Sequence, residues 1–339
     1  MPLITVFSLE WHINRSDAFR DLLIEPLQPF FDFEQIGWEG SENSLEPVDI
    51  NFSRYIFCQL PPPQSWLQRI PEKIIWLPMW DNVEYRRQKW WNTLPKALRV
   101  VAFSDAVYQR ARHAGLKTIH LKYFKNPEAF TPANWSNGRV LLYWNRTGLI
   151  SPEFLERLCT TLHIDKLLFR SQTDPDVAKS STFQVPHYLG NTQVETLPVF
   201  KNRQEYFDAT RDANVFIAPR KSEGVGMAFL EAMARGCAVL ALDRGTMNEY
   251  IVSGENGYLF KRKWSARRVI HTIQDKLAHQ GIGAVPPFVF TLREKDQFWR
   301  EIEMLNLPSL GAEARRQHQI GYKRWQSQIL DYTTFVLDF

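Results

Sequence analysis

Residues Asn214 to Phe260 read NVFIAPRKSEGVGMAFLEAMARGCAVLALDRGTMNEYIVSGENGYLF. Asn214 to Pro219 is a short apolar run of strand type, and Arg220 to Gly226 is a polar turn that carries two glycines. Met227 to Arg235 has a helical pattern without β-branched residues, and Gly236 stands where a helix stop belongs. Cys237 to Leu242 is a second apolar strand. Strand, loop, helix and strand make a βαβ unit whose right-handed crossover leaves the two strands parallel. Ligands of parallel sheets bind beyond the carboxyl ends of the strands, which here is the loop Arg220 to Gly226.

The chemistry of that loop is legible. Gly224 and Gly226 lack a Cβ, so a ligand can approach the backbone closely. The N–H groups of Gly226, Met227 and Ala228 open the helix and, with its dipole, favour an anion such as phosphate. Arg220 and Lys221 add positive charge beside them. Glu223 in the loop and Glu231 in the helix stand eight positions apart. A carboxylate one or two turns past a phosphate-binding helix start can accept hydrogen bonds from vicinal hydroxyls such as those of ribose. Plainer readings exist beside these: Glu231 with Arg235 as an i,i+4 surface ion pair, and the glycines as turn residues only.

The whole stretch is more specific than its spacing. It resembles the Glu-x7-Glu region of retaining GT-B glycosyltransferases, the nucleotide-sugar family that includes sucrose synthases and bacterial mannosyl transferases (glycosyltransferase family 4-like, group 1). The matching residues are Pro219, Ser222-Glu223-Gly224, Gly226, Leu230 to Ala234, Gly236, Val239, Gly245, Glu249, Gly254, Asn256-Gly257 and Leu259. The resemblance implies an α/β fold of two Rossmann-like domains facing across a cleft. It also implies that Glu231 holds ribose, that Glu223 holds the hydroxyls of the donor sugar, and that no metal takes part.

Length and composition agree with two domains. The chain has 339 residues, 44% of them hydrophobic and 14% aromatic, enough for two cores. A formal net charge of +4, from 41 basic against 37 acidic residues, does not point to nucleic acid. Cys58, Cys159 and Cys237 are far apart and show neither a disulfide framework nor a zinc pattern, as suits a reducing cytosol. The start, MPLITVFSLEWHINR, reads as a first strand rather than a signal peptide, and no apolar stretch reaches the roughly 20 residues of a membrane span.

In the N-terminal half, strands are expected at Leu3–Leu9, Arg54–Leu60, Lys73–Leu77, Arg99–Ser104 and Thr118–Tyr123. The loop after the first strand carries His12 and Asn14, ahead of a helix from about Asp17 to Phe30. In the resembled family this loop faces the acceptor and is usually glycine-containing, which it is not here. After the third strand, relatives carry His followed by an acidic residue. This chain has Trp80 and Asp81, so the carboxylate is kept while the proton relay is replaced by a ring that can stack on a sugar. Tyr85 to Trp91, with Lys96 and Arg99, is basic and aromatic. It reads either as a segment lying on an anionic membrane surface or as a solvated helix face with its tryptophans packed inward.

Thr131 to Gly138 is the expected linker between an N-terminal domain, 1–133, and a C-terminal domain, 137–312. The segment 313–339 is expected to be a helix returning to the N-terminal domain. The second domain opens with the strand Arg139–Trp144 and then Arg146, which the resemblance places on the donor diphosphate. Ser151 stands where relatives carry a Lys, so Lys221 becomes the expected second cation. A helix Pro152–Leu162 and a strand Lys166–Arg170 follow. Asp174-Pro175-Asp176 is read as a polar turn rather than a metal site. Phe200 and Lys201, ahead of the helix Asn202–Ala213, are the positions at which relatives hold the nucleobase. Charged helical patterns run near Ser265–His279 and Glu294–Leu305, and Ala312–Leu330 is a final amphipathic helix.

The expected function is therefore retaining, metal-independent sugar transfer from a nucleoside diphosphate sugar to a glycan or lipid-linked acceptor, without a cofactor. Catalytic roles fall to Glu223 and Asp81. Donor binding falls to Arg146, Lys221, Gly224, Gly226, Met227, Glu231 and Phe200, and the acceptor side to His12, Asn14 and Trp80. Bacterial cell-surface polysaccharide or glycolipid synthesis in the cytoplasm, free or on the inner face of the membrane, is the expected setting. An epimerase of the same fold and an inert sugar-nucleotide-binding protein are the rival readings.

Overall fold

The computed structural model describes residues 1–15, 18–40, 54–146, 150–171, 185–218, 220–260 and 295–338. The chain divides into two compact units. The first comprises Met1–Lys125, Ser222–Met227 and Gln319–Phe339, and the second comprises Asn126–Lys221 and Ala228–His318.

The first unit is built on six strands: β1 (Leu3–Ser8), β2 (Asp32–Gly37), β3 (Arg54–Cys58), β4 (Ile74–Leu77), β5 (Arg99–Ala102) and β6 (Lys117–His120). They lie in the order β2-β1-β3-β4-β5-β6, and every pair is parallel. Continuous apolar runs such as Ile74-Ile75-Trp76-Leu77, buried throughout, are what a sheet covered on both faces demands. Phe7, Tyr55, Phe57, Trp66, Trp76 and Trp91 meet in one aromatic core. Ser104 starts the helix Asp105–His113 by accepting a hydrogen bond from the Val107 N–H at 3.3 Å. The last part of the C-terminal helix closes this unit. Trp325 packs against Tyr123, Arg54 donates to the Val336 carbonyl at 2.9 Å, and Arg99 donates to the Phe335 and Asp338 carbonyls.

The second unit is built on β7 (Val140–Asn145), β8 (Lys166–Ser171), β9 (Tyr188–Leu189), β10 (Thr192–Thr196), β11 (Val215–Ile217), β12 (Ala238–Leu242) and β13 (Tyr258–Phe260). Their order is β13-β12-β11-β7-β8-β10-β9, parallel except for the β9–β10 edge pair. The helix Met227–Arg235 has the bounds its sequence predicts, and Gly236 follows with φ +82°, the left-handed stop that glycine adopts cheaply. Buried Asn214 accepts from the Val140 N–H and donates to the Asn134 and Gly138 carbonyls, so it ties the linker segment to the first strand of the sheet.

Several elements differ from their sequence expectation. His12 and Asn14, expected in a loop, lie in a helix, Glu10–Arg15. Glu10 sits in its first turn, where a carboxylate favours the helix dipole, and no glycine or proline interrupts the run. Strand β2 has no counterpart in the sequence reading, because its alternating Asp-Phe-Glu-Gln-Ile-Gly is an edge strand largely exposed. The final helix begins at Leu307 rather than Ala312, so Gly311 lies inside it, where any Cβ would run into the Gly236 carbonyl. The helical pattern expected near Ser265–His279 and the Asp174-Pro175-Asp176 turn lie outside the described residues. Among the described residues no helix is long and apolar enough to cross a membrane.

Candidate functional site

In the second unit, strand order reverses at β7, which has β8 on one side and β11 on the other. The crevice of such a sheet lies beyond the carboxyl ends of the two strands at the reversal. Arg146 follows β7 directly, and Arg220 and Lys221 follow β11. Topology thus brings three cations of the sequence reading to one edge. The loop then runs into the helix Met227–Arg235, whose first turn contains no acidic residue to occupy its free N–H groups. Gly226, at φ +84°, makes the entry turn.

The side chains around this edge are tightly arranged. The Arg146 guanidinium stacks on the Trp144 ring, 4.3 Å from its centroid, and Arg170 stacks on the same ring at 4.1 Å. Phe200 meets Tyr206 edge-on at 5.6 Å, and both rings lie near Arg170, at 5.3 and 5.7 Å. Packing around Tyr206 pushes its phenol well above the ordinary value, and the Glu231 carboxylate adds to that rise. Glu231 is paired at 2.9 Å with Arg203, the first residue of the helix Arg203–Ala209. Arg235, offered by the sequence as an i,i+4 partner of Glu231, instead donates to the carbonyls of Thr210, Arg211 and Ala213. Ser151, in the position where a lysine is expected, caps the helix Pro152–Thr161 by accepting from the Phe154 N–H at 3.3 Å.

In the first unit the order reverses at β1, flanked by β2 and β3. His12 follows β1, and its Nε2 lies 2.9 Å from Gln59 Oε1, beyond the end of β3. Gln59 Nε2 donates at 2.9 Å to Asn82 Oδ1, beyond the end of β4. One amide therefore links the carboxyl ends of three neighbouring strands. Gln59 has φ +71°, and the Leu60 N–H bonds back to the Cys58 carbonyl at 2.8 Å. That is a γ-turn of positive φ, a strained conformation for a residue with a Cβ. Trp80 opens the short helix Trp80–Val83 and lies under Arg110, whose guanidinium is 5.4 Å from the ring.

The loop Ser222–Met227 belongs to this first unit. A Cβ at Gly224 would come within 2.8 Å of Met79 Cβ and 3.0 Å of Asp81 Oδ1. Only glycine lets the loop lie that close, and Glu223, its neighbour in the chain, is buried. Asn14 is placed on the helix Glu10–Arg15, two residues from His12. Lys221 and Met227 flank the loop and are half-buried. The basic aromatic stretch divides: Trp91 is fully buried against Trp76, while Trp90 packs on Trp76 and under Arg86. No group of three or more His, Cys, Asp or Glu residues that would hold a metal ion occurs among the described residues.

Sequence reasoning did not single out Gln59, Asn82, Arg170 or Arg203, which the structure brings against residues that it did single out or against Trp144. The signal for Gln59 and Arg170 was present. Each is a polar residue at or just past the carboxyl end of an apolar parallel strand, where ligand contacts concentrate. Arg203 is missed because only the fold brings the start of its helix beside Glu231.

Comparison with known proteins agrees with this fold. Residues 187–281 match the family model described as glycosyl transferases group 1. No curated protein matches the chain. Among solved structures, the sucrose-phosphate synthase of Thermosynechococcus elongatus is similar, at 16% identity, a TM-score of 0.53 and full coverage of both chains. HepE of Anabaena, solved with UDP and glucose, is similar over the whole of both chains at 13% identity and a TM-score of 0.54. A glycosyltransferase from Rickettsia africae is similar at 14% identity and a TM-score of 0.54, over 99% of this chain and 98% of that one. The chain has the GT-B glycosyltransferase fold, and its residues 187–281 carry the match to glycosyl transferases group 1.

Proposed function

We propose that the protein transfers a sugar from a nucleoside diphosphate donor to a hydroxyl of a glycan or lipid-linked acceptor, with the anomeric configuration retained. The observation that carries this reading is the unit β11–loop–helix–β12. It carries Lys221, the helix start at Met227 and both glutamates within the segment that matches glycosyl transferases group 1, and Arg146 follows the neighbouring strand β7. HepE, of the same fold, is solved with UDP and glucose, which supports a nucleotide sugar as donor here.

In the reaction, the bond between the anomeric carbon and the diphosphate oxygen breaks, and the oxygen leaves with the electron pair. The acceptor oxygen bonds to the same face of that carbon, and its proton passes to the departing phosphate oxygen. The protein then needs no dedicated base. Its work is to stabilise charge on the leaving diphosphate and to align the reactants. Arg146, Lys221 and the helix start at Gly226 and Met227 receive the diphosphate. Phe200 lies beside the base, Glu231 holds ribose, and Glu223 holds sugar hydroxyls. Asp81, Trp80, His12 and Asn14 line the acceptor side. Neither a cofactor nor a metal takes part, so a strong chelator leaves turnover unchanged. Synthesis of cell-surface polysaccharide or glycolipid on the cytoplasmic side is the setting this chemistry suits.

The test is a thermal-shift screen of nucleotide sugars, followed by product analysis with and without acceptor. A ligand that binds only the folded state stabilises by about 2.7 kcal/mol at a hundredfold excess over its dissociation constant. Transfer that depends on an acceptor supports the reading. Conversion of the donor sugar without acceptor means epimerisation, and binding without any turnover means an inert binder.

A further inference from the structure

We propose that Arg170 is a further cation of the donor diphosphate site, beside Arg146 and Lys221, held in place by stacking on Trp144, an inference that rests on the donor reading above. Trp144 and Arg170 are register partners in the parallel β7–β8 pair, so their side chains leave the sheet on the same face. The Trp144 ring carries two guanidinium groups, Arg146 at 4.3 Å and Arg170 at 4.1 Å. Their central carbons are therefore no further apart than about 8.4 Å, the sum of those two distances. Two like charges so close repel, and an anion shared between them turns the repulsion into attraction.

The manner of holding points the same way. Trp144, Phe200 and Tyr206 all lie within 6 Å of the Arg170 guanidinium. Stacking engages the faces of a guanidinium and leaves its N–H donors directed outward in the plane, the geometry that grips phosphate oxygens in pairs. The ring also fixes the arginine beforehand, so less side-chain entropy is lost when an anion binds. Position completes the case. β7 is the strand at which order reverses, and Arg170 lies near the carboxyl end of its neighbour β8, at the edge that also carries Arg146. The position where a second cation is expected by resemblance is taken by Ser151, which serves as a helix cap. A packing role alone would make Arg170 indifferent to what the ligand carries.

The experiment is calorimetry on the full chain with UDP and GDP, the matching monophosphates and the nucleosides. The variants are Arg170→Ala, Arg170→Lys and Arg170→Gln, each checked for an unchanged melting curve. Arg170→Ala weakens the diphosphate that binds the wild type by about tenfold to a hundredfold, the range of one hydrogen bond to a charged group. The monophosphate loses less and the nucleoside nothing. Arg170→Lys, which keeps charge but not the planar stack, falls between. Should Arg170→Ala fail to fold, Arg170→Gln carries the same comparison. Wild-type affinity for diphosphate in a folded Arg170 variant overturns the inference and leaves the donor reading intact, as does an equal loss for diphosphate and nucleoside. A wild type that binds no nucleotide sugar or diphosphate overturns the donor reading itself.

Discussion

Gln59 Oε1 sits 2.9 Å from His12 Nε2, and this contact is held by a backbone turn that costs free energy. Residues with a Cβ in such conformations cost on the order of 1–3 kcal/mol, and they persist where surrounding structure enforces them. Here the enforced side chain joins His12 to Asn82 across the end of β3. Replacing Gln59 by alanine keeps the strain and removes both side-chain bonds. Replacing it by glycine removes the same bonds and relieves the strain. Gln59→Gly is therefore the more stable of the two by about 1 kcal/mol in denaturant unfolding. Equal stabilities would mean that the turn is not strained. Both variants remove the Gln59 bond to His12, so acceptor-dependent turnover falls in both, whichever is more stable.

Gly224 supplies a second test, with its own control. A methyl group there meets Met79 Cβ at 2.8 Å, an atom fixed to the backbone that cannot swing aside. The loop must shift, at about 1–3 kcal/mol of overpacking. Glu223 moves with it, and a displacement of about 1 Å at a reacting centre costs on the order of a hundredfold in rate. Gly254, at φ +84°, has nothing within 4 Å of a built Cβ. Gly254→Ala thus costs only the backbone penalty, about 1 kcal/mol, and leaves turnover normal. Comparable turnover in the two variants would contradict the placement of Glu223 by Gly224.

The stretch Tyr85 to Trp91 combines charges and indoles, but the indoles are committed. Trp91 is fully buried and Trp90 lies on Trp76 beneath Arg86. Interfacial anchoring needs aromatic rings that reach the headgroups. The expected result is that purified protein stays in the supernatant with anionic vesicles at physiological salt. Sedimentation that is released by high salt, and lost on neutralising Arg87 and Lys89, would show a membrane-docking face instead.

How much of this was legible in the sequence follows from what each residue depends on. The helix Met227–Arg235 and its stop at Gly236 are local patterns, and they stand where expected. Most strands of both sheets are short apolar runs bounded by turns, and their existence was readable even where an end moved by a few residues, whereas the very short β9 and β13 had no counterpart in the sequence reading. β2 was not readable, since an exposed edge strand leaves no buried stripe. The helix holding His12 and Asn14 was not readable either, because six residues without a long amphipathic pattern give no period to detect. The role of Gly224 as the contact to Asp81, the pairing of Arg203 with Glu231 and the double stack on Trp144 are long-range. Each joins residues from different elements, which no local spacing encodes.

The two glutamates lie close in sequence and differ in surroundings, and this difference tests the account most directly. Glu231 is paired with Arg203 on the helix, and Glu223 is buried in the loop beside Gly224. The measurement is nucleoside diphosphate affinity and donor turnover for Glu231→Ala and Glu223→Ala side by side. The account predicts that Glu231→Ala weakens free nucleotide by about tenfold to a hundredfold, since a charged hydrogen bond contributes roughly 1.5–3 kcal/mol. It predicts that Glu223→Ala binds free nucleotide almost as the wild type does and loses nearly all turnover, because its contact matters at the reacting sugar. Normal turnover in Glu223→Ala, or a loss of nucleotide affinity equal to that of Glu231→Ala, would contradict it.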